Sequence, residues 1–297
     1  MNLIRWGLLA IILLAAAAML LAWFRRRRSL PQQGAPSPGS LALGFAVEFG
    51  DTLGIGSFAP TTAVLKLSRM VPDELIPGTL IVGTMIAVVA EAVIFIDSVD
   101  VQPSLLVSMI ALATAGAWFG AGVVARMSRR KIQLAMGSAL LVAGAVFAAK
   151  NLAWLPADGA ALALEGWRFV AADLAALVLG ALMTVGIGMY APTMIVLSLL
   201  GMHTLAAFPI MMGACALLQA VGGLKFIETG RFAHRTALGL SLSGVFGVLL
   251  AAYVVKSLPL EALRWLVVAV VAYAATMMLG SALAPAARTE AAVSPPP

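Results

Sequence analysis

The chain has little of what a soluble protein uses to face water. Charged residues make up 11% of its 297 positions, while hydrophobic residues make up 62%. A soluble domain of that make-up would expose very large apolar patches. There is one cysteine, Cys215, which excludes an internal disulfide. No CxxC or Cys/His spacing for a structural metal occurs, so no resident metal is expected. Cys215 lies in an apolar run and reads as a small packing residue. The alternating pattern of a membrane β-barrel is missing, because the apolar residues come in long runs. Also missing are HExxH, a serine nucleophile elbow and a P-loop, so neither catalysis nor a cofactor is expected. What remains is an all-α polytopic integral membrane protein.

The net charge of +6 does not point to nucleic acid. Lys and Arg sit in short loops beside apolar segments, as the positive-inside rule requires. The first apolar segment, Trp6–Phe24, is followed by Arg25–Arg28. A cleavable signal carries its charge before the apolar run, not after it. Residues 1–28 are therefore expected to be an uncleaved membrane helix with an Arg stop, its N-terminus outside. The Pro/Gly/Ser stretch 29–40 is expected to be a linker, and 285–297 a disordered tail.

Further apolar segments fall at about 41–66, 77–96, 104–124, 132–149, 169–200, 205–224, 237–255 and 262–283, most of them long enough to span a bilayer core. Segments 41–66 and 169–200 are interrupted at their centres. If 41–66 crossed the membrane, Lys66, Arg69 and the cluster Arg126–Lys131 would fall outside. If it dips in and returns, all of these are cytoplasmic. A second dip, from the outside, at 169–200 puts Lys225, Arg231, His234 and Arg235 in the cytoplasm, and the C-terminus with them. The expected architecture is two inverted repeats, 41–149 and 169–284, joined by an external loop, 150–168. Each is a re-entrant broken-helix hairpin followed by three spanning helices, and helix 6–24 is extra. Secondary transporters recurrently use this design.

Both interruptions carry one phrase: GIGSFAPT at Gly54–Thr61 and GIGMYAPT at Gly186–Thr193. Residues 54–65 and 186–197 share 8 identities in 12 positions, and Pro77 matches Pro209 at the same offset. A lone GxG more often marks tight helix packing, but repetition with the same Ala-Pro-Thr favours a ligand role. Gly54, Gly56, Gly186 and Gly188 permit unusual dihedrals and close approach. Pro60 and Pro192 suit the first turn of a new half-helix, beginning near Ala59 and near Ala191. The amides of those half-helices would point into the breaks and favour an anion, with Ser57, Thr61 and Thr193 adding hydroxyl donors. Glu48 and Asp51 at the first break, and Glu91 within segment 77–96, are intramembrane carboxyls. They are candidates to carry a coupling proton or cation. For Glu48 and Asp51 the alternative is bonding to the loosened backbone. The second half has no matching acid, since Asp51 aligns with Met183. Gln219 is a candidate polar pathway residue. His203, Cys215 and nearby methionines make a soft-metal (copper) route conceivable, against plain apolar filling.

These phrases, with FGDTLGIGSFAPTTAVLKL at Phe49–Leu67, GIGMYAPTMIVLSLLGM at Gly186–Met202 and AAFPIMMG at Ala206–Gly213, resemble the TauE/SafE sulfite exporter family, the TSUP anion transporters. The resemblance covers about 41–283 and leaves helix 6–24 outside. It implies transport of sulfite, organosulfur or small carboxylate anions, coupled to an ion gradient, in a bacterial inner membrane. The partners it implies are a small anionic substrate, the coupling ion and the bilayer, with homo-oligomerisation left open. Where many members carry a glycine run, this chain has Asp51-Thr52-Leu53 before a single Gly-Ile-Gly. A passive anion channel and a non-transporting scaffold subunit are the competing expectations.

Overall fold

A computed structural model describes residues 2–30, 34–124, 129–152, 154, 161–183, 189–257 and 260–283. Its helices are α1 (Asn2–Arg26), α2 (Pro38–Thr52), α3 (Phe58–Leu67), α4 (Ile76–Ser98), α5 (Pro103–Val124), α6 (Arg129–Asn151), α7 (Gly166–Met183), α8 (Tyr190–Leu199), α9 (Ala207–Thr229), α10 (His234–Ser257) and α11 (Leu260–Leu283). Among the described residues the only extended pairing is an isolated bridge between Ala161 and Met202. Among the described residues, five stretches are long and apolar enough to cross a membrane: Leu3–Arg26, Ile76–Ser98, Gly166–Met183, Thr204–Thr229 and His234–Val254. Large apolar side chains such as Trp6, Leu14, Trp118, Phe246 and Tyr253 face outward, as suits lipid rather than water.

Element boundaries follow local chemistry. Helix α2 starts three residues inside the expected linker, because Ser37 caps it by accepting the Ser40 N–H and Pro38 occupies the first position. Helix α1 runs beyond both ends of Trp6–Phe24. Helices α3 and α8 begin at Phe58 and Tyr190, one residue before the expected starts.

Both interrupted segments fold as hairpins. Gly39, in the first turn of α2, faces Met70, just past the end of α3. Arg235 bonds the Ala35 carbonyl, Ala233 N–H donates to Thr79 Oγ1 at 2.8 Å, and Arg26 bonds the Glu228 carbonyl. These contacts gather the end of α1, the mouth of the first hairpin, the start of α4 and the α9–α10 link at one end of the bundle. Contacts at the other end gather the second set. His203 N–H donates to Ala161 O at 2.9 Å, so the chain leaving α8 returns beside the chain entering α7. Gln102 N–H donates to Leu162 O at 2.9 Å, and Arg5 pairs with Asp100 at 2.9 Å. Helix α7 is long enough to cross by itself, but α8 brings the chain back to the end at which α7 entered.

The element pattern recurs at a fixed offset. Helix α8 repeats α3 at 132 residues, from Phe58 to Tyr190 and from Leu67 to Leu199; α11 ends the same distance after α6, Leu283 against Asn151. Helix pairing follows suit: α2 packs along α10 and α7 along α5, while α4 pairs with α9 and α6 with α11. Glycines allow the close crossings. A Cβ on Gly116 would strike the Leu177 carbonyl, and one on Gly180 the Ala113 carbonyl; Gly44, Gly239 and Gly247 do the same work between α2 and α10. Helix α1 has no counterpart in this pattern and lies against α9 and α4, with Met19 filling the notch at Gly223.

Candidate functional site

Helix α2 ends because the chain turns left-handed at Gly54, with φ of 92°. Gly54 N–H bonds Asp51 O at 2.8 Å and Ile55 N–H bonds Gly50 O at 3.0 Å. This paired closure satisfies carbonyls that a broken helix would otherwise leave orphaned in the apolar interior. Gly56, with φ of 85°, turns the chain again, and α3 begins at Phe58.

Asp51 then reaches across the break it borders. Its Oδ1 accepts the Ser57 N–H, so the chain's own carboxylate caps the start of α3. The Thr61 hydroxyl is also used internally, donating to Ser57 O at 2.6 Å. Two donors expected to meet a substrate at the first break are therefore taken up by the protein itself.

Asp51 Oδ2 faces the second break, where the Tyr190 hydroxyl stands 3.1 Å from it and 3.3 Å from Glu91 Oε2. Glu91 Oε1 accepts from the Thr52 hydroxyl at 2.6 Å, and that hydroxyl also lies 2.8 Å from Glu48 O. Glu48 is wedged among α2, α4 and α10, against Gly244 and Ala87. All three acids are buried, and neither Glu48 carboxylate oxygen has a hydrogen-bond partner. One carboxylate oxygen from each of Glu48, Asp51 and Glu91 lies within 4.8 Å of the other two. The groups acting on these carboxyls are each other, Thr52, Ser57 and Tyr190. Three buried carboxyls this close must be balanced by protons or by a cation.

A cavity of about 1210 Å³ opens beside this cluster. Its lining includes the buried Asp51, Ser57, Tyr190 and Gln219, with Gly56, and the exposed Lys66, Lys225 and Glu228, the last at the end where Arg26 meets its carbonyl. Gln219 Oε1 accepts from the Thr84 hydroxyl at 2.9 Å. Of the other residues predicted for the site, Gly54, Pro60, Thr61, Pro192, Thr193, Glu48 and Glu91 are not part of the lining. The hydroxyls of Ser57 and Thr193 are buried without a partner. Gly186 and Gly188 lie outside the described residues. The sulfur atoms of Cys215 and Met183 are 3.8 Å apart, while His203 caps the turn before α9 by accepting the Leu205 N–H at 3.2 Å, away from them.

Sequence reasoning passed over Tyr190 and Thr52. A signal for Tyr190 was present: at the repeat offset it aligns with Phe58, and the pair differ by one hydroxyl, the group that joins the two breaks.

The fold and site define a class: an all-α, multi-pass membrane protein with a polar cluster built at a helix break beside an internal cavity. The family model described as sulfite exporter TauE/SafE matches residues 2–147, just under half of the chain, and supports the resemblance carried by the motifs to that family of membrane transporters. The match takes in α1, which the motif resemblance left outside, and it ends before the second phrase. No curated protein matches the chain, and no solved structure does.

Proposed function

We propose that the protein is a secondary transporter that exports a small anion, such as sulfite or an organosulfur or carboxylate anion, by ion-coupled alternating access in a bacterial inner membrane. Repeats 41–149 and 169–284 would be the two moving halves, inverted with respect to each other, with the N-terminus outside and the C-terminus cytoplasmic. The observation that carries this proposal is the hydrogen bond from Tyr190, at the second break, to Asp51, at the first. It joins two hairpins whose mouths lie at opposite ends of the bundle, beside a cavity that both residues line. Rocking one half against the other would open that point to alternate sides.

The anion would lie against the start of α8, where Thr193 has an unused buried hydroxyl, and beside Ser57. Glu48, Asp51 and Glu91 would hold the coupling ion, whose charge offsets that of the substrate. A second reading, transport of a cation itself, draws on the same carboxyl cluster. Its oxygen donors suit a hard ion rather than Cu(I).

The test is flux in proteoliposomes of purified protein, with a panel of sulfite, sulfate, thiosulfate, sulfoacetate and acetate under imposed pH and sodium gradients. Saturable, gradient-driven accumulation of one anion is expected. Flux that never saturates and only follows the anion's own gradient would replace the carrier with a channel. Absence of flux for every anion, with insertion verified, would remove the anion assignment.

A further inference from the structure

We propose that Glu48, Asp51 and Glu91 form a binding site for a dehydrated sodium ion, with the Ser57 hydroxyl as a further ligand. This deepens the proposed coupled carrier by naming its coupling ion.

Size is the first argument. Three carboxylate oxygens no more than 4.8 Å apart leave a shared centre at most about 2.8 Å from each, which closes with little movement onto the roughly 2.3–2.6 Å typical of calcium-sized ions, and sodium is of that size. Magnesium needs near-octahedral geometry at about 2.1 Å and dehydrates reluctantly, so a buried all-protein set suits it poorly.

Unspent donors are the second argument, and it is independent of the acidic cluster. The Ser57 hydroxyl is 1% exposed and makes no hydrogen bond of normal geometry, yet it stands close enough to Glu48 and Asp51 to act on both carboxyls. A buried hydroxyl without a good partner is costly, and a bound cation would give its oxygen a role. Both oxygens of Glu48 are likewise buried and unpartnered. By contrast Asp51 and Glu91 are held in place by Ser57 N–H, Tyr190 and Thr52. The set thus has two fixed carboxyls and one with both oxygens unused; a single sodium ion offsets one negative charge, and protons retained among the three carboxyls offset the rest.

Position is the third. The cluster lies at the C-terminal end of α2, where the helix dipole favours positive charge. Broken helices in transporters hold Na⁺ at such ends. Asp51 and Ser57 also line the cavity while Glu48 and Glu91 stand behind them, which leaves an entry path past Asp51.

The experiment is equilibrium binding of ²²Na⁺ to the purified full-length protein in detergent, at constant ionic strength with choline as the filler. It needs no substrate and no flux. Saturable binding is expected, displaced by unlabelled Na⁺ and not by K⁺ or Mg²⁺. In Glu48→Gln the affinity should fall at least about tenfold, while Glu228→Gln, at the cavity rim, should bind as the parent does. Absence of saturable binding to the unmodified protein would overturn the proposal, whatever the variants do. So would preferential occupation by Ca²⁺. Sodium binding without anion flux would sink the proposed function and leave this site standing; anion flux driven by protons alone, without sodium binding, would do the reverse.

Discussion

At the scale of single residues, the site is a contest for hydrogen-bond donors. The half-helix starts were expected to offer amides and hydroxyls to an anion. At the first break that offer is taken up from within, by Asp51 on the Ser57 N–H and by Thr61 on Ser57 O. At the second break Thr193 keeps a buried hydroxyl with no partner. Such a group is a cost to the empty protein that a substrate oxygen could recover. Thr193→Val, of the same shape, should therefore leave thermal stability in detergent unchanged or raise it slightly, by up to about 1 kcal/mol. The same change should reduce substrate flux in proteoliposomes. A clear fall in melting temperature would show that the hydroxyl is already satisfied within the fold.

At the scale of elements, small residues set how the hairpins seat. The α5–α7 crossing brings Gly116 against the Leu177 carbonyl and Gly180 against the Ala113 carbonyl. A methyl group there has to push two backbones apart. Gly116→Ala and Gly180→Ala should each destabilise the purified protein by roughly 1–3 kcal/mol, read as a lower melting temperature. Gly280, where an added Cβ meets nothing within 4 Å, is the matched control. Gly280→Ala should be neutral, or stabilising by about 0.5–1 kcal/mol from the better helix former. Equal losses at Gly116 and Gly280 would mean that the close crossing is not what these glycines are for.

At the scale of the whole molecule, the two hairpin mouths lie at opposite ends. Charge counting assigns the Lys66 and Arg69 end to the cytoplasm. Single cysteines at Lys66 and Arg69, in a Cys215→Ala background, are expected to label with an impermeant thiol reagent from the cytoplasmic side. Cysteines at Met202 and Thr204 mark the opposite mouth, but both residues are buried, so Leu199, which is 61% exposed, is the better reporter and should label from outside. Labelling of both sets from one side would end the inverted arrangement.

How much of this the sequence carried differs with the range of the interaction. Helix placement was legible where it is local: apolar runs set the lengths, and Gly54, Gly56 and Pro60 mark the first break through dihedral preference, whereas the capped start of α2 at Ser37–Pro38 was read as linker. The recurrence of elements at one offset had a sequence signal, because Gly-Ile-Gly and Ala-Pro-Thr recur at the same spacing. The acids Glu48, Asp51 and Glu91 could be singled out because charge inside an apolar run is costly whatever the fold. That the three share one cluster was not legible: Glu91 is 40 positions from Asp51 and on another helix, and only the packing of α2 against α4 brings them together. Nor could the sequence say which donors would remain for a ligand. That depends on Asp51 turning back onto Ser57 and on Tyr190 crossing from the other half, distances that only the tertiary structure decides.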